Sequence, residues 1–169
     1  MNQSVENKIE IKDKLVNFYN NNRLKIFSII FIVLVSVIAF YLFKQNQIKK
    51  NNLVAEQYIK AGIYLSSNKK DDAKRIFQNI ILSKNEFYSV LALNQIIEKN
   101  LISDKNKILE YFDLLEKINR SEEKQDLISL KKALYLIKMS DVKEGEALLE
   151  NLIDKNSELK SIAKEIILE

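Results

Sequence analysis

Hydrophobic and polar positions follow two different rules along this chain. Between Ile26 and Phe43 there is no alternation at all. The stretch IFSIIFIVLVSVIAFYLF holds no charge, no Pro and no Gly, and its only polar groups are Ser28, Ser36 and the Tyr41 hydroxyl. As a helix these eighteen residues extend about 27 Å, close to one bilayer hydrocarbon core. A buried core helix of a small domain would show a polar stripe, and this one has none. The pattern therefore predicts a transmembrane anchor over 26–43. Arg23 and Lys25 before it and Lys44 after it are placed to reach headgroups. Phe18, Tyr19, Phe40 and Tyr41 suit the two interfacial belts.

From Asn51 onward the pattern becomes amphipathic with a helical period, interrupted by short polar breaks. It predicts helices over Leu53–Ser66, Asp72–Ser83, Phe87–Lys99, Asn106–Asn119, Glu123–Met139, Val142–Asp154 and Leu159–Leu168. The second of these places Ile76, Phe77, Ile80 and Ile81 on one face. The last carries Leu159, Ile162, Ala163, Ile166 and Ile167 at i, i+3, i+4, i+7 and i+8. Short connectors between such helices make antiparallel hairpins. The fold class expected is all-α: one membrane helix followed by a stack of helical hairpins over 44–169.

Residues 1–25 are short and polar. Ile11, Leu15 and Phe18 recur at helical spacing, with Val16 and Tyr19 beside them, so this segment reads as an amphipathic surface helix or a frayed tail. The apolar run exceeds a signal-peptide core, and Lys44-Gln45-Asn46-Gln47 follows it with no small-residue cleavage site. An uncleaved signal anchor is the expectation. Five cations before the span (Lys8, Lys12, Lys14, Arg23, Lys25) against four after it (Lys44, Lys49, Lys50, Lys60) favour an N-terminus on the cytoplasmic side.

Composition then narrows the chemistry. The chain has neither Cys nor His, which excludes disulfides, Cys/His zinc sites, and Ser-His-Asp or Cys-His catalysis. Pro is absent and Gly occurs twice, as a helical chain would have it. The net charge of +4 is not spread evenly. Residues 1–50 carry +5 and the remaining 119 carry −1, so the basic excess surrounds the apolar run and leaves no nucleic-acid footprint. The adjacent acids Asp71-Asp72 and Glu122-Glu123 read as favourable charges at helix N-termini. Ser129 and Lys132 share a helix face, but such a pair needs desolvation beside an oxyanion site to act. No catalytic, cofactor or metal site is expected.

A repeat is visible beneath the helices. Ala61-x-x-Tyr64 is followed by Ala73-x-x-x-Phe77-x-x-Ile80, and Ala133-x-x-Leu136 by Gly145-x-x-x-Leu149-x-x-Leu152. Small residues lie twelve apart in both, which lets two helix backbones approach while larger residues fill the space around them. The middle hairpin, with Ala92, Asp104, Ile108 and Tyr111, fits the spacing less well. These elements resemble the tetratricopeptide repeat, without its early Trp and closing Pro. The wider arrangement adds Lys14-Leu15-Val16-Asn17-Phe18-Tyr19 before the span, Ala55, Tyr58 and Ala61 after it, and Phe87-Tyr88-Ser89-Val90-Leu91-Ala92-Leu93. It resembles the YfgM-like family, ancillary subunits of the bacterial SecYEG translocon. The resemblance implies a single-pass inner-membrane protein with a periplasmic repeat domain that works beside the translocon and periplasmic chaperones. A scaffold for another envelope complex, such as cell division or cytochrome maturation, is the alternative within the same class.

Carried over from that resemblance, Tyr58, Leu65, Leu93, Ile96, Ile97, Leu130, Leu134 and Ile137 would line or approach a partner-binding groove. The competing expectation is that they pack internally or lie under the last helix. Tyr58, Tyr64, Tyr88, Tyr111 and Tyr135 read chiefly as packing residues between helices. Ser36-x-x-Ala39 offers a small patch for the approach of another membrane helix.

Overall fold

The computed structural model describes residues 3–168, with side chains described at 12, 14, 16–25 and 27–168. The described residues form seven α-helices and no strand: α1 (Gln3–Ser66), α2 (Lys70–Leu82), α3 (Glu86–Glu98), α4 (Lys105–Ile118), α5 (Glu122–Lys138), α6 (Val142–Asp154) and α7 (Lys160–Leu168). The chain divides into two units, Met1–Lys49 and Lys50–Glu169, a few residues beyond the boundary at Phe43 that the apolar run suggests.

In the first unit every side chain from Phe27 to Phe43 is solvent-exposed. This is the one helix among the described residues long and apolar enough to cross a membrane, and none of its apolar window is buried. A core helix of a soluble domain would be mostly covered. Its hydroxyls are satisfied locally, Ser28 Oγ donating to the Leu24 carbonyl at 2.9 Å and Ser36 Oγ to Ile32 at 2.8 Å. Such back-bonding removes the cost of carrying serine into an apolar medium. Upstream, Val16, Phe18 and Tyr19 are exposed, whereas the side chains of Ile11, Leu15 and Ile26 lie outside the described set.

The second unit is a stack of hairpins, and its hydrogen bonds give the stacking offset. Asn85 Nδ2 donates to Asn51 Oδ1 (2.7 Å), Lys124 Nζ to Glu86 (2.7 Å) and Lys131 Nζ to Asn94 (3.3 Å), joining α1 to α3 and α3 to α5. Gln78 Nε2 donates to the Tyr111 hydroxyl (3.1 Å), and Lys105 pairs with Asp141, joining α2 to α4 and α4 to α6. Partners are 33 to 38 residues apart, about the length of one helix–turn–helix unit. First helices therefore neighbour first helices, and second helices neighbour second ones.

Small residues set the close contacts. Ala61, Ala73, Ala92, Ala133 and Ala163 have no exposed surface. The pairs Ala61/Ala73 and Ala133/Gly145 are symmetric about their turns, as antiparallel hairpins require. Asp104 does not continue the series. A six-residue connector separates α3 from α4, and Asp104 instead caps α4, accepting from the Asn106 and Lys107 amides at 2.9 and 3.2 Å. Two hydrophobic clusters result. The larger runs from α1 to α5 through Phe77, Ile80, Ile96, Ile108 and Phe112; the smaller joins Leu130 and Ala133 to Leu149, Leu152 and Ala163.

Helix ends recur with one geometry. Asn68, Lys84, Asn100, Ser140 and Asn156 all take positive φ, between 49° and 68°. After α3, α5 and α6 the next residue's amide closes back on the helix, Leu101 to Ile96, Asp141 to Leu136 and Ser157 to Leu152, at 2.9 to 3.0 Å. Asn tolerates this backbone; Ser pays for it. Ser140→Gly should therefore stabilise the second unit by about 1 kcal/mol, read as a higher urea midpoint with an unchanged slope.

Candidate partner-binding groove

Of the residues expected to line a groove, the structure keeps few at the surface. Leu93 and Ile96 are core, at 1% and 0% exposure, and Leu130 is buried at 7%. These three are corrections to the groove expectation: neighbouring hairpins cover the face that a single-helix view leaves open. Tyr58 and Leu65 pack against the large cluster, with the Tyr58 ring 5.6 Å from Phe77 and 5.8 Å from Tyr88. Ile137 packs on the smaller cluster beside Gly145. Ile97 is half-buried, and Leu134 is openly exposed.

Ile97 and Leu134 do meet at one place. Two adjoining depressions of about 260 and 210 Å³ lie between α3 and α5 and share Ile97, Tyr135 and Lys138. Phe112 and Tyr135 contribute aromatic lining, their rings 5.9 Å apart, and Asn94, Glu98, Lys131 and Leu134 complete one of the two depressions. The aromatic lining and the lysines at 131 and 138 were not among the expected groove residues. Leu127, Lys131, Leu134 and Lys138 fall at i, i+4, i+7 and i+11 of α5, a mixed apolar and basic stripe that was legible in the sequence.

Each depression is below the volume of a typical small-molecule site and suits one or two side chains of a protein segment. Lys131 Nζ donates to the Asn94 side-chain oxygen at 3.3 Å, and Glu98 lines the same depression. Burial, then the Glu98 charge, raises the Tyr58 phenol above its ordinary 10.0; burial, then Asp104, raises that of Tyr135.

These shifts have a defined sign. Below 10.0 both states carry neutral phenols and the full contribution to stability is present. Above it the unfolded chain ionises first, and stability is lost as pH rises through the native values. The alkaline loss should be smaller in Tyr58→Phe/Tyr135→Phe than in wild type, with native tyrosinate absorbance appearing late in the wild-type titration.

The other polar constellations are internally occupied. Ser129 Oγ lies 3.4 Å from Glu116 and Lys132 Nζ 2.6 Å from Asp113, so both turn to α4 acids. Asp71 and Asp72 sit in the first turn of α2, and the Lys74 ammonium lowers the Asp71 carboxyl, first by hydrogen bonding and then by charge. Tyr64 lies beneath the Lys60 and Lys69 ammoniums, at 5.9 and 5.8 Å. No group of three metal-ligating side chains occurs among the described residues. No family model, curated protein or solved structure matches the chain.

Proposed function

We propose that this chain is a membrane-anchored, non-catalytic protein-interaction module, with residues 26–43 as a single span and the helical stack as the binding body. The observation that carries the reading is the complete exposure of the apolar stretch from Phe27 to Phe43. Seventeen consecutive residues of this kind would expose an apolar patch far beyond what a monomeric soluble protein tolerates. The resemblance to YfgM-like proteins, together with the cation balance, supports a cytoplasmic N-terminus and a periplasmic stack in a bacterial inner membrane. There the module would serve as an ancillary subunit of the SecYEG translocon, linked to periplasmic chaperones. Tethering raises the effective concentration of a partner in the same membrane, so a shallow groove suffices for productive contact.

The α3–α5 groove is the binding surface in this reading. Photocrosslinking from positions 94, 134 and 138 in intact cells should recover translocon subunits and chaperones. Recovery of division or cytochrome-maturation proteins instead would reassign the module to another envelope assembly. Leu134→Asp combined with Lys138→Glu should lower crosslinking yield about tenfold, the effect of losing roughly 1.4 kcal/mol of contact energy, while far-UV circular dichroism stays at the wild-type level. An unchanged yield would exclude this groove.

A further inference from the structure

The shortest of the seven helices, α7 (Lys160–Leu168), is held most lightly. Among its residues only Ala163 is buried, whereas α2 to α6 each bury three or more. Its covered side carries Ala163, Ile166 and Ile167, which with Leu159 of the connector join the smaller cluster on α5 and α6. Its other side is not the polar face that a helix sealing a stack for good would carry. There Ile162 is 47% exposed and Leu168 86%.

Polar ties to the stack stop where α7 begins. In the connector Asp126 accepts from Lys155 and Ser157, and Ser157 accepts from the Leu159 amide at 3.2 Å. Among the described residues, no side chain from Ser161 to Leu168 forms a hydrogen bond or ion pair with α5 or α6. Lys160 reaches back only to Asn156, at 2.5 Å. A helix docked by a few apolar side chains and hinged at a tied connector opens more readily than the helices beneath it. Opening bares an apolar groove whose shape is given directly, because α7 lies in it. The groove is separate from the α3–α5 depressions: Leu149 and Leu152 belong to the smaller cluster, Phe112 and Tyr135 to the larger one.

We infer that α7 is an autoinhibitory helix, holding in cis a groove that receives an amphipathic helix of a partner protein. The seated helix states the partner's chemistry. Large aliphatic residues stand at i, i+7 and i+8 around a small residue at i+4, the pattern of Leu159, Ala163, Ile166 and Ile167. The small residue is required because Ala163 has no exposed surface, and a longer side chain there would overpack the contact. The short connector keeps α7 at a high effective concentration, so a partner must compete with it. With α7 open about a tenth of the time, the partner's apparent Kd is about tenfold above that of the empty groove. This second binding surface stands whether or not the chain is anchored.

A fluorescein-labelled peptide of the Ser157–Leu168 sequence serves as the partner helix. It is titrated against the full-length protein in phosphatidylcholine nanodiscs, with empty nanodiscs as the blank. Ile166→Asp/Ile167→Asp empties the groove without altering α5 or α6. Both side chains are only half-buried, so far-UV circular dichroism should stay near wild type. By anisotropy the variant should bind the peptide about tenfold more tightly than wild type does. A peptide carrying Ala163→Leu should bind neither. In wild type, saturating peptide should speed amide exchange across 160–168 and in no other helix, a readout that needs no variant. No binding to the variant, equal affinity of variant and wild type, equal binding of the two peptides, or α7 exchange unmoved by saturating peptide overturns the proposal. So does a wild-type dimer that the double variant abolishes, since the groove would then hold the α7 of a second copy.

Discussion

Asp126→Ala should lower the unfolding free energy of the second unit by about 3 kcal/mol. Asp126 lies on α5 at 3% exposure, and its carboxylate accepts from Lys155 Nζ and from Ser157 Oγ. Ser157 in turn accepts from the Leu159 amide at 3.2 Å, so one carboxylate ties α5 to the connector that delivers α7. Removing it strands the Ser157 hydroxyl, which is 8% exposed. Lys155 keeps about a third of its side-chain surface in water and can re-solvate, which holds the cost at the low end of the range for broken buried pairs. Lys155→Met should accordingly cost less than Asp126→Ala. Urea unfolding gives the size, and amide exchange should speed up across 160–168 before it does in α2. Uniform exchange across all helices would show that Asp126 does not govern α7.

The two glycines should respond to alanine in opposite directions. In a helix, Gly→Ala ordinarily gains about 1 kcal/mol. At Gly62 an added Cβ meets nothing within 4 Å, so Gly62→Ala should gain close to that amount. At Gly145 the same atom would lie 2.6 Å from Ile137 Cγ1 and 2.9 Å from the Ala133 carbonyl oxygen. The oxygen belongs to the α5 backbone and cannot step aside, so α5 and α6 must part. Gly145→Ala should therefore cost about 2 kcal/mol net, in the range for overpacking. Equal effects at the two positions would mean that the α5–α6 contact is looser than the geometry shows.

That contrast marks what periodicity conveys and what it does not. The twelve-residue spacings Ala61/Ala73 and Ala133/Gly145 were legible because a hairpin is local and a small residue at a crossing leaves a one-letter trace. From α2 onward the helix bounds agree to within one or two residues, with Val142–Asp154 unchanged, because polar breaks and caps punctuate them; the expected start at Leu53 is absent, since α1 runs unbroken from Gln3 to Ser66. The groove was less legible. α2, α4 and α6 bury one face and are strongly one-sided, whereas α5 carries Ile128 and Tyr135 into one cluster and Leu130 and Ala133 into the other. A helix covered on two sides has apolar residues nearly all round, and no single-helix pattern says which of them a neighbouring hairpin will cover. For that reason Leu93, Ile96 and Leu130 follow the competing expectation of internal packing and not the groove. Tyr135 packs on Phe112 as its tyrosine pattern suggests, and the two rings line the depression between α3 and α5 only once the helices are assembled.

Alkaline carbonate extraction of membranes tests most directly whether a lipid-held rod carries a water-soluble helical body. The full chain should remain entirely in the membrane pellet, and a chain lacking residues 26–43 should pass to the supernatant with its helical circular dichroism retained. A full chain released by carbonate, or a deleted chain that stays in the pellet, would contradict it.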